Sequence, residues 1–230
     1  AAACKSSTAC RQTSAPRSRK TTPIFPRSNC IRSAFPWAST WTCFTWKTVD
    51  CGRSICLNRM PRLGEQVTTQ TWAYGMKGFY GYRNFSMNSR DGERMAYANS
   101  VWVLMDTKKG IPVRVTKEIS DAYGLDPQLP MQCSERKIML PEKYEEKDSL
   151  VVPSYFIDTN HHMNNTRYVQ VAMEYVPKEF RTMEVRVEYK KAAMCRDVIV
   201  PHVTIEDPRV TVALCAPDGQ PYAVVVFLKA

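Results

Sequence analysis

The stretch Ile157 to Tyr168, reading IDTNHHMNNTRY, holds the side chains of this sequence best suited to chemistry. Asp158, Asn160 and His162 alternate with single residues, and Asn164 and Asn165 follow at the start of an apolar-periodic segment. An imidazole that ionises near neutral pH can move a proton to or from water. A neighbouring carboxylate or amide can fix its tautomer and orient that water. The N–H groups of a helix's first turn can hold the negative charge that grows on an attacked carbonyl oxygen. The same residues also suit a purely structural loop, because Asn is a good N-cap in any helix and Asp and Asn build turns. The residues alone leave both readings open. His161 is expected to be a surface neighbour, and His202, alone on a strand, to be structural. No His-x-x-x-His or paired-carboxylate spacing calls for a metal, and no cofactor is expected.

The surrounding elements must present that loop. Asn164 to Val176 carries apolar residues at Tyr168, Val171, Ala172, Tyr175 and Val176, the stripe of an amphipathic helix closed by Pro177. Strands are expected at 183–191, 198–205, 209–215 and 222–228, with a hairpin at Asp218-Gly219. Val151 to Ile157 also reads as a strand. Upstream, strands are expected at 66–74, 77–87 and 95–106, with Gly75 and then Ser89, Asp91 and Gly92 as the turns between them. Lys117 to Tyr123 reads as a short helix ended by Gly124. Asp126 to Asp148, with three prolines, reads as a linker. A helix followed by antiparallel strands implies an α+β fold, a curled sheet wrapped on a helix.

Charge and cysteine usage divide the chain. The net charge of +10 resides in the first sixty residues, which hold ten Lys and Arg against Asp50 alone; the remainder is nearly neutral. A basic terminal segment is not a binding face, so no nucleic-acid partner is expected. No apolar run approaches the roughly 20 residues of a membrane span, so no membrane is expected either. Six of the nine cysteines also lie in the first sixty residues. Cys133, Cys195 and Cys215 in the body make neither a disulfide framework nor a zinc spacing, as in a protein of a reducing compartment.

The run Asp158 to Asn165, with Tyr168 three residues on, resembles the D-x-N-x-H-x-N-N-x-x-Y signature of acyl-acyl-carrier-protein (acyl-ACP) thioesterases, bacterial and plant plastid alike. Arg59 to Glu65 with Thr71-Trp72, Gly92-Glu93, Trp102 to Asp106 and Glu188-Tyr189-Lys190-Lys191 are similar to the same family. The resemblance covers about residues 55–230. It implies a double hot-dog fold, two curved antiparallel sheets each around a central helix. The first repeat, 56–125, would hold the acyl chain, 126–149 would link, and the second, 150–230, would carry the catalytic loop. It implies hydrolysis of a fatty acyl thioester by activated water, with Asp158, Asn160 and His162 catalytic. The implied partner is an acyl carrier protein bearing a phosphopantetheine-linked chain, docked on Lys and Arg such as Arg181, Arg186, Lys190 and Lys191; a homodimer is compatible. A bacterial cytoplasm follows, or a plastid stroma if residues 1–35 are a transit peptide. Plant members hold a Glu and a Cys after the E-Y-basic-basic motif, where this chain has Ala192 and Ala193. The alternatives are an acyl-CoA thioesterase, or a non-catalytic or weakened hot-dog shell that binds acyl chains or their carrier.

Residues 1–55 fit neither periodicity nor family and are expected to be out of frame or disordered. Codons read from each third base across Pro36 to Ser54 permit a string of helical apolar spacing. As written, the chain would lack the first repeat's central helix, leaving one apolar sheet face open.

Overall fold

The computed structural model describes residues 44–47, 51–106, 108–131 and 137–229. Its strands are β1 (Phe44–Lys47), β2 (Cys51–Leu57), β3 (Val67–Lys77), β4 (Tyr80–Ser89), β5 (Arg94–Asp106), β6 (Glu145–Glu146), β7 (Leu150–Val151), β8 (Glu184–Tyr189), β9 (Val198–Glu206), β10 (Arg209–Cys215) and β11 (Pro221–Leu228). The helices are α1 (Lys117–Tyr123) and α2 (Asn165–Met173). One antiparallel sheet runs β3-β4-β5-β2-β8-β11-β10-β9-β6. The join between its halves is the ladder that pairs Cys51–Cys56 with Tyr189–Glu184.

Alternation along β8, β10 and β11 sends Val185, Val187, Tyr189, Val210, Val212, Val225 and Phe227 to one face, where they form the main core with Tyr168 and Ala172 of α2. The expected helix stripe is therefore the packed one, with Val171, Tyr175 and Val176 partly buried against the same cluster. The helix ends at Met173, earlier than expected, and turns of i→i−3 bonds carry the chain through Glu174, Tyr175 and Val176. Pro177 accounts for this, since it disfavours helical geometry in the residue before it.

Several boundaries differ from the sequence expectation. Gly75 is not a turn: β3 runs through it with a register shift between Ala73 and Gly75, and the chain reverses at Gly78, whose φ is 63°. Of the strand expected at Val151 to Ile157, only Val151 pairs with β9, together with Leu150 before it; Pro153 then precedes a 3-10 turn at Ser154–Phe156. Two strands lie within the segment expected to be irregular. β1 and β2 follow one another along β5, with Phe44 opposite Asp106 and Arg53 opposite Ser100. The boundary set at residue 56 falls inside β2. The rest of the span read as out of frame, 36–43 and 48–50, lies outside the described residues, as does the transit-peptide segment.

The described parts of 126–148, residues 126–131 and 137–148, are not a free linker. They strap the face of the sheet opposite α2. The indole N–H of Trp72 donates to the Pro127 carbonyl (2.9 Å), and the Leu129 N–H donates to the side chain of the fully buried Asn84 (2.9 Å). Ile138 inserts among Ala213, Cys215, Val224 and Val226, and its N–H donates to Glu188 Oε2 (2.8 Å). Two apolar anchors, Leu129 and Ile138, were hidden in a segment that reads as polar. On the α2 side, Ile55, Phe85, Met87 and Ala98 stay only partly buried, and α1 buries none of its side chains.

Arg59 ties the first repeat's entry to the β4–β5 hairpin. Its guanidinium donates to Glu65 (2.7 and 3.0 Å) and to Glu93 (2.7 Å), which gives three of the family-like residues a structural task. The Arg59 hydrogen bond pulls the Glu65 carboxyl from its ordinary 4.5 to about 2, and Glu93 is lowered for the same reason. A depressed carboxyl stabilises the fold above its ordinary value and stops doing so as pH falls through the depressed one. The melting-temperature gap between native protein and Arg59→Gln should therefore be full above pH 4.5 and close as pH approaches 2. A gap that persists at pH 2 would mean that Arg59 acts by packing rather than by charge.

Candidate active site

The loop between the 3-10 turn and α2 is folded by its own side chains. Asp158 Oδ1 accepts the Asn160 N–H at 2.8 Å, and Asn160 Nδ2 lies 3.5 Å from Asp158 Oδ2. The backbone closes on itself through Asp158 N–H to His162 O and His161 N–H to Asp158 O, both 3.0 Å. His161 adopts φ of 63° to complete the turn, and it is exposed, the surface neighbour expected. This geometry brings His162 Nδ1 to 3.9 Å from Asp158 Oδ1 and 3.4 Å from the Met163 carbonyl. Both side chains remain about one quarter exposed, within reach of solvent and of a ligand. Asp158, Asn160 and His162 are thus brought together on one turn.

Asn164 caps α2, its side chain accepting the Thr166 N–H (2.9 Å). The Arg167 N–H goes to the Asn164 carbonyl (2.9 Å). The expectation that first-turn N–H groups would hold an oxyanion therefore fails for these two, because the cap itself engages them.

Behind the loop lies a brace that spacing alone did not reveal. Ala193, fully buried, accepts the Met163 N–H on its carbonyl (2.8 Å) and donates its own N–H to the Tyr168 hydroxyl (2.8 Å). Tyr189 donates to the Asn165 carbonyl (3.0 Å), and the two tyrosine rings meet edge to face at 5.7 Å. Burial pushes the Tyr168 phenol up to about 12, so it stays protonated at any physiological pH. The tyrosines of the loop motif and of Glu188-Tyr189-Lys190-Lys191 therefore meet and hold loop, helix and strand end together. β8 ends at Tyr189, two residues before the end of the strand expected at 183–191, and Ala192 is half-buried beside Ala193.

His202 lies on β9 on the face opposite α2, stacked on Tyr144 at 4.0 Å and 3.6 Å from Cys215 Sγ. Burial pushes the Cys215 thiol up to about 11, leaving it protonated and unreactive. No cluster of three or more metal-ligating residues occurs among the described residues. None of the helices there is long and apolar enough to cross a membrane.

Comparison with known proteins adds a further set of findings. The family description "Acyl-ACP thioesterase N-terminal domain" matches residues 46–123, and "Acyl-ACP thioesterase C-terminal domain" matches 141–211. The first match begins inside the segment read as out of frame. A chloroplastic palmitoyl-acyl carrier protein thioesterase of Cuphea hookeriana is 30% identical over 170 residues, covering 67% of this chain and 40% of that protein. One from Gossypium hirsutum is 27% identical over 166 residues, 66% of this chain and 40% of the relative. The chain thus spans about two fifths of the length of these relatives. Among solved structures, an acyl-ACP thioesterase from Bacteroides thetaiotaomicron superposes with TM-score 0.70 at 22% identity, over 80% of this chain and 76% of that one. The 12:0-ACP thioesterase of Umbellularia californica gives 0.69 at 17% identity, over 80% and 75%. A MaoC-like dehydratase of Phytophthora capsici gives 0.55 at 11% identity, over 78% and 70%. The expected double hot-dog fold is the fold observed.

Tyr168→Phe should leave the buried Ala193 N–H without an acceptor and cost about 1–3 kcal/mol. Urea unfolding measures this, and a variant as stable as the native protein would remove the brace from the account.

Proposed function

The chain belongs to the acyl-ACP thioesterase family, and on that premise we propose that it hydrolyses the thioester of a fatty acyl-acyl-carrier-protein to release the free fatty acid. The observation that carries this reading is the pairing of His162 with Asp158 at 3.9 Å on a partly exposed turn just before α2. With Nδ1 facing the Asp158 carboxylate and the Met163 carbonyl, Nε2 is the nitrogen left to take a proton from water. The water attacks the thioester carbonyl, and His162 returns the proton to the leaving thiolate, so that acid and free thiol result. Asp158 faces the imidazole and orients it; Asn160 fixes the turn and offers its amide to water or carbonyl.

The first repeat holds the acyl chain and the second carries the catalysis. The partner is an acyl carrier protein, drawn by basic side chains. Arg181 and Lys191 are exposed and suit that role, whereas Lys190 is already paired with Glu188 at 2.9 Å. Cys195 and Cys215 are free thiols, which fits a reducing compartment such as a bacterial cytoplasm or a plastid stroma. A binding module with blunted chemistry is the second reading, and Ala192 and Ala193 are its support, since a methyl group neither takes a proton nor attacks a carbonyl.

His162→Ala should cut thiol release from acyl-ACP by about 10²- to 10⁴-fold with the fold intact. Near-normal turnover would take His162 out of the mechanism. Ala193 is fully buried, whereas Ala192 is only half-buried. Ala192→Glu should raise the rate by up to about a hundredfold as a second base, or raise the pH optimum by crowding Asp158. An unchanged rate and an unchanged pH profile would place position 192 outside the site.

A further inference from the structure

Asp158 also forms part of a second feature, an open cleft of about 330 Å³ between the 3-10 turn and the outer side of α2. Tyr155, Phe156, Ile157 and Asp158 line it from the turn, and Asn164, Thr166, Arg167 and Gln170 from the helix and its cap. Its volume is at the lower end for small-molecule sites.

The chemistry of the lining decides what it can hold. Arg167 is fixed twice: its guanidinium lies 5.2 Å above the Phe156 ring and donates to Gln170 Oε1 at 2.8 Å. With its oxygen engaged by Arg167, Gln170 turns its NH2 group outward as a donor. The Thr166 hydroxyl stands one helical turn away on the same exposed side. These donors beside an exposed tyrosine give a hydrocarbon chain nothing to gain, because an acyl chain here would stay wet and would cover polar groups without pairing them. A neutral chain bearing amide carbonyls, amide N–H groups and a hydroxyl can instead pair with them.

Resting on the thioesterase reading, we infer that this cleft receives the pantetheine arm of the substrate, the thioester lying beside Asp158 and the acyl chain leaving in another direction. Gln170 and Thr166 are specificity-determining residues for the arm, and Arg167 is a positioning residue that orients the Gln170 amide.

The test compares two thioesters of one acyl chain, a pantetheine thioester and an N-acetylcysteamine thioester that lacks most of the arm. Gln170 and Thr166 are exposed on the helix, so Gln170→Trp fills the cleft without touching the core. The ratio of kcat/KM for the arm-bearing over the truncated substrate should fall at least about tenfold in Gln170→Trp, chiefly through KM. Arg167→Met should lower the same ratio less, and Arg167→Lys should not restore it, because an ammonium cannot stack and donate as the planar group does. An unchanged ratio, or a change in acyl-length preference with the truncated substrate, overturns the assignment. Free pantetheine titrated against native protein and Gln170→Trp by NMR gives a readout independent of hydrolysis. Binding lost in the variant supports the cleft even if no thioester is turned over, in which case the thioesterase reading alone fails; equal binding, or none to the native protein, sinks the cleft.

Discussion

A buried peptide unit must find partners for both its N–H and its carbonyl, and at Ala193 that requirement organises the candidate site. The carbonyl takes the Met163 N–H and the N–H goes to the Tyr168 hydroxyl, so the residue after the loop and the core residue of α2 are both tied to one point. The loop cannot shift against the helix without stranding one of these groups in an apolar core. His162, next to Met163, inherits that rigidity. A small residue at 193 lets Met163 and Tyr168 approach so closely, and the same smallness removes any reactive group from that position.

The second dependency is the ladder between β2 and β8. It turns two curved sheets into one, and it sets Arg53 beside Tyr189, with the guanidinium 5.6 Å from the Tyr189 ring and 5.2 Å from that of Trp102. Through Tyr189 the first half of the chain touches the start of α2. On the other face, the strap from Asp126 onward supplies partners for Asn84 and Glu188, polar residues that the sheet buries. The strap thus allows a sheet with polar residues on its outer face to be covered on both sides.

Where the resemblance implies a Glu and a Cys this chain has alanines, which leaves the Asp158–His162 pair as the candidate for proton transfer. The turn that builds this pair is closed mainly by backbone and Asx hydrogen bonds, which do not depend on what occupies position 192. The pair therefore survives the loss of the neighbouring carboxylate as a geometric unit.

The sequence by itself determined the candidate catalytic run, the helix that follows it and the strands of the second half. Period-2 and period-3.6 patterns there are burial patterns, and Val185, Val187, Tyr168 and Ala172 are buried as those periods require. Asp158, Asn160 and His162 were legible because they lie within one turn, where local hydrogen bonding suffices to gather them. Tertiary structure alone decided what depends on distant partners. Leu129 and Ile138 became anchors only once a sheet face lay beneath them, and Gly75 became a bulge because β4 continued pairing past it. The brace joins residues 163, 168, 189 and 193 across two elements, and the cleft arises where the 3-10 turn meets the side of α2. Spacing along a chain encodes local geometry, but it carries no record of which buried donor will meet which acceptor after the sheet has closed.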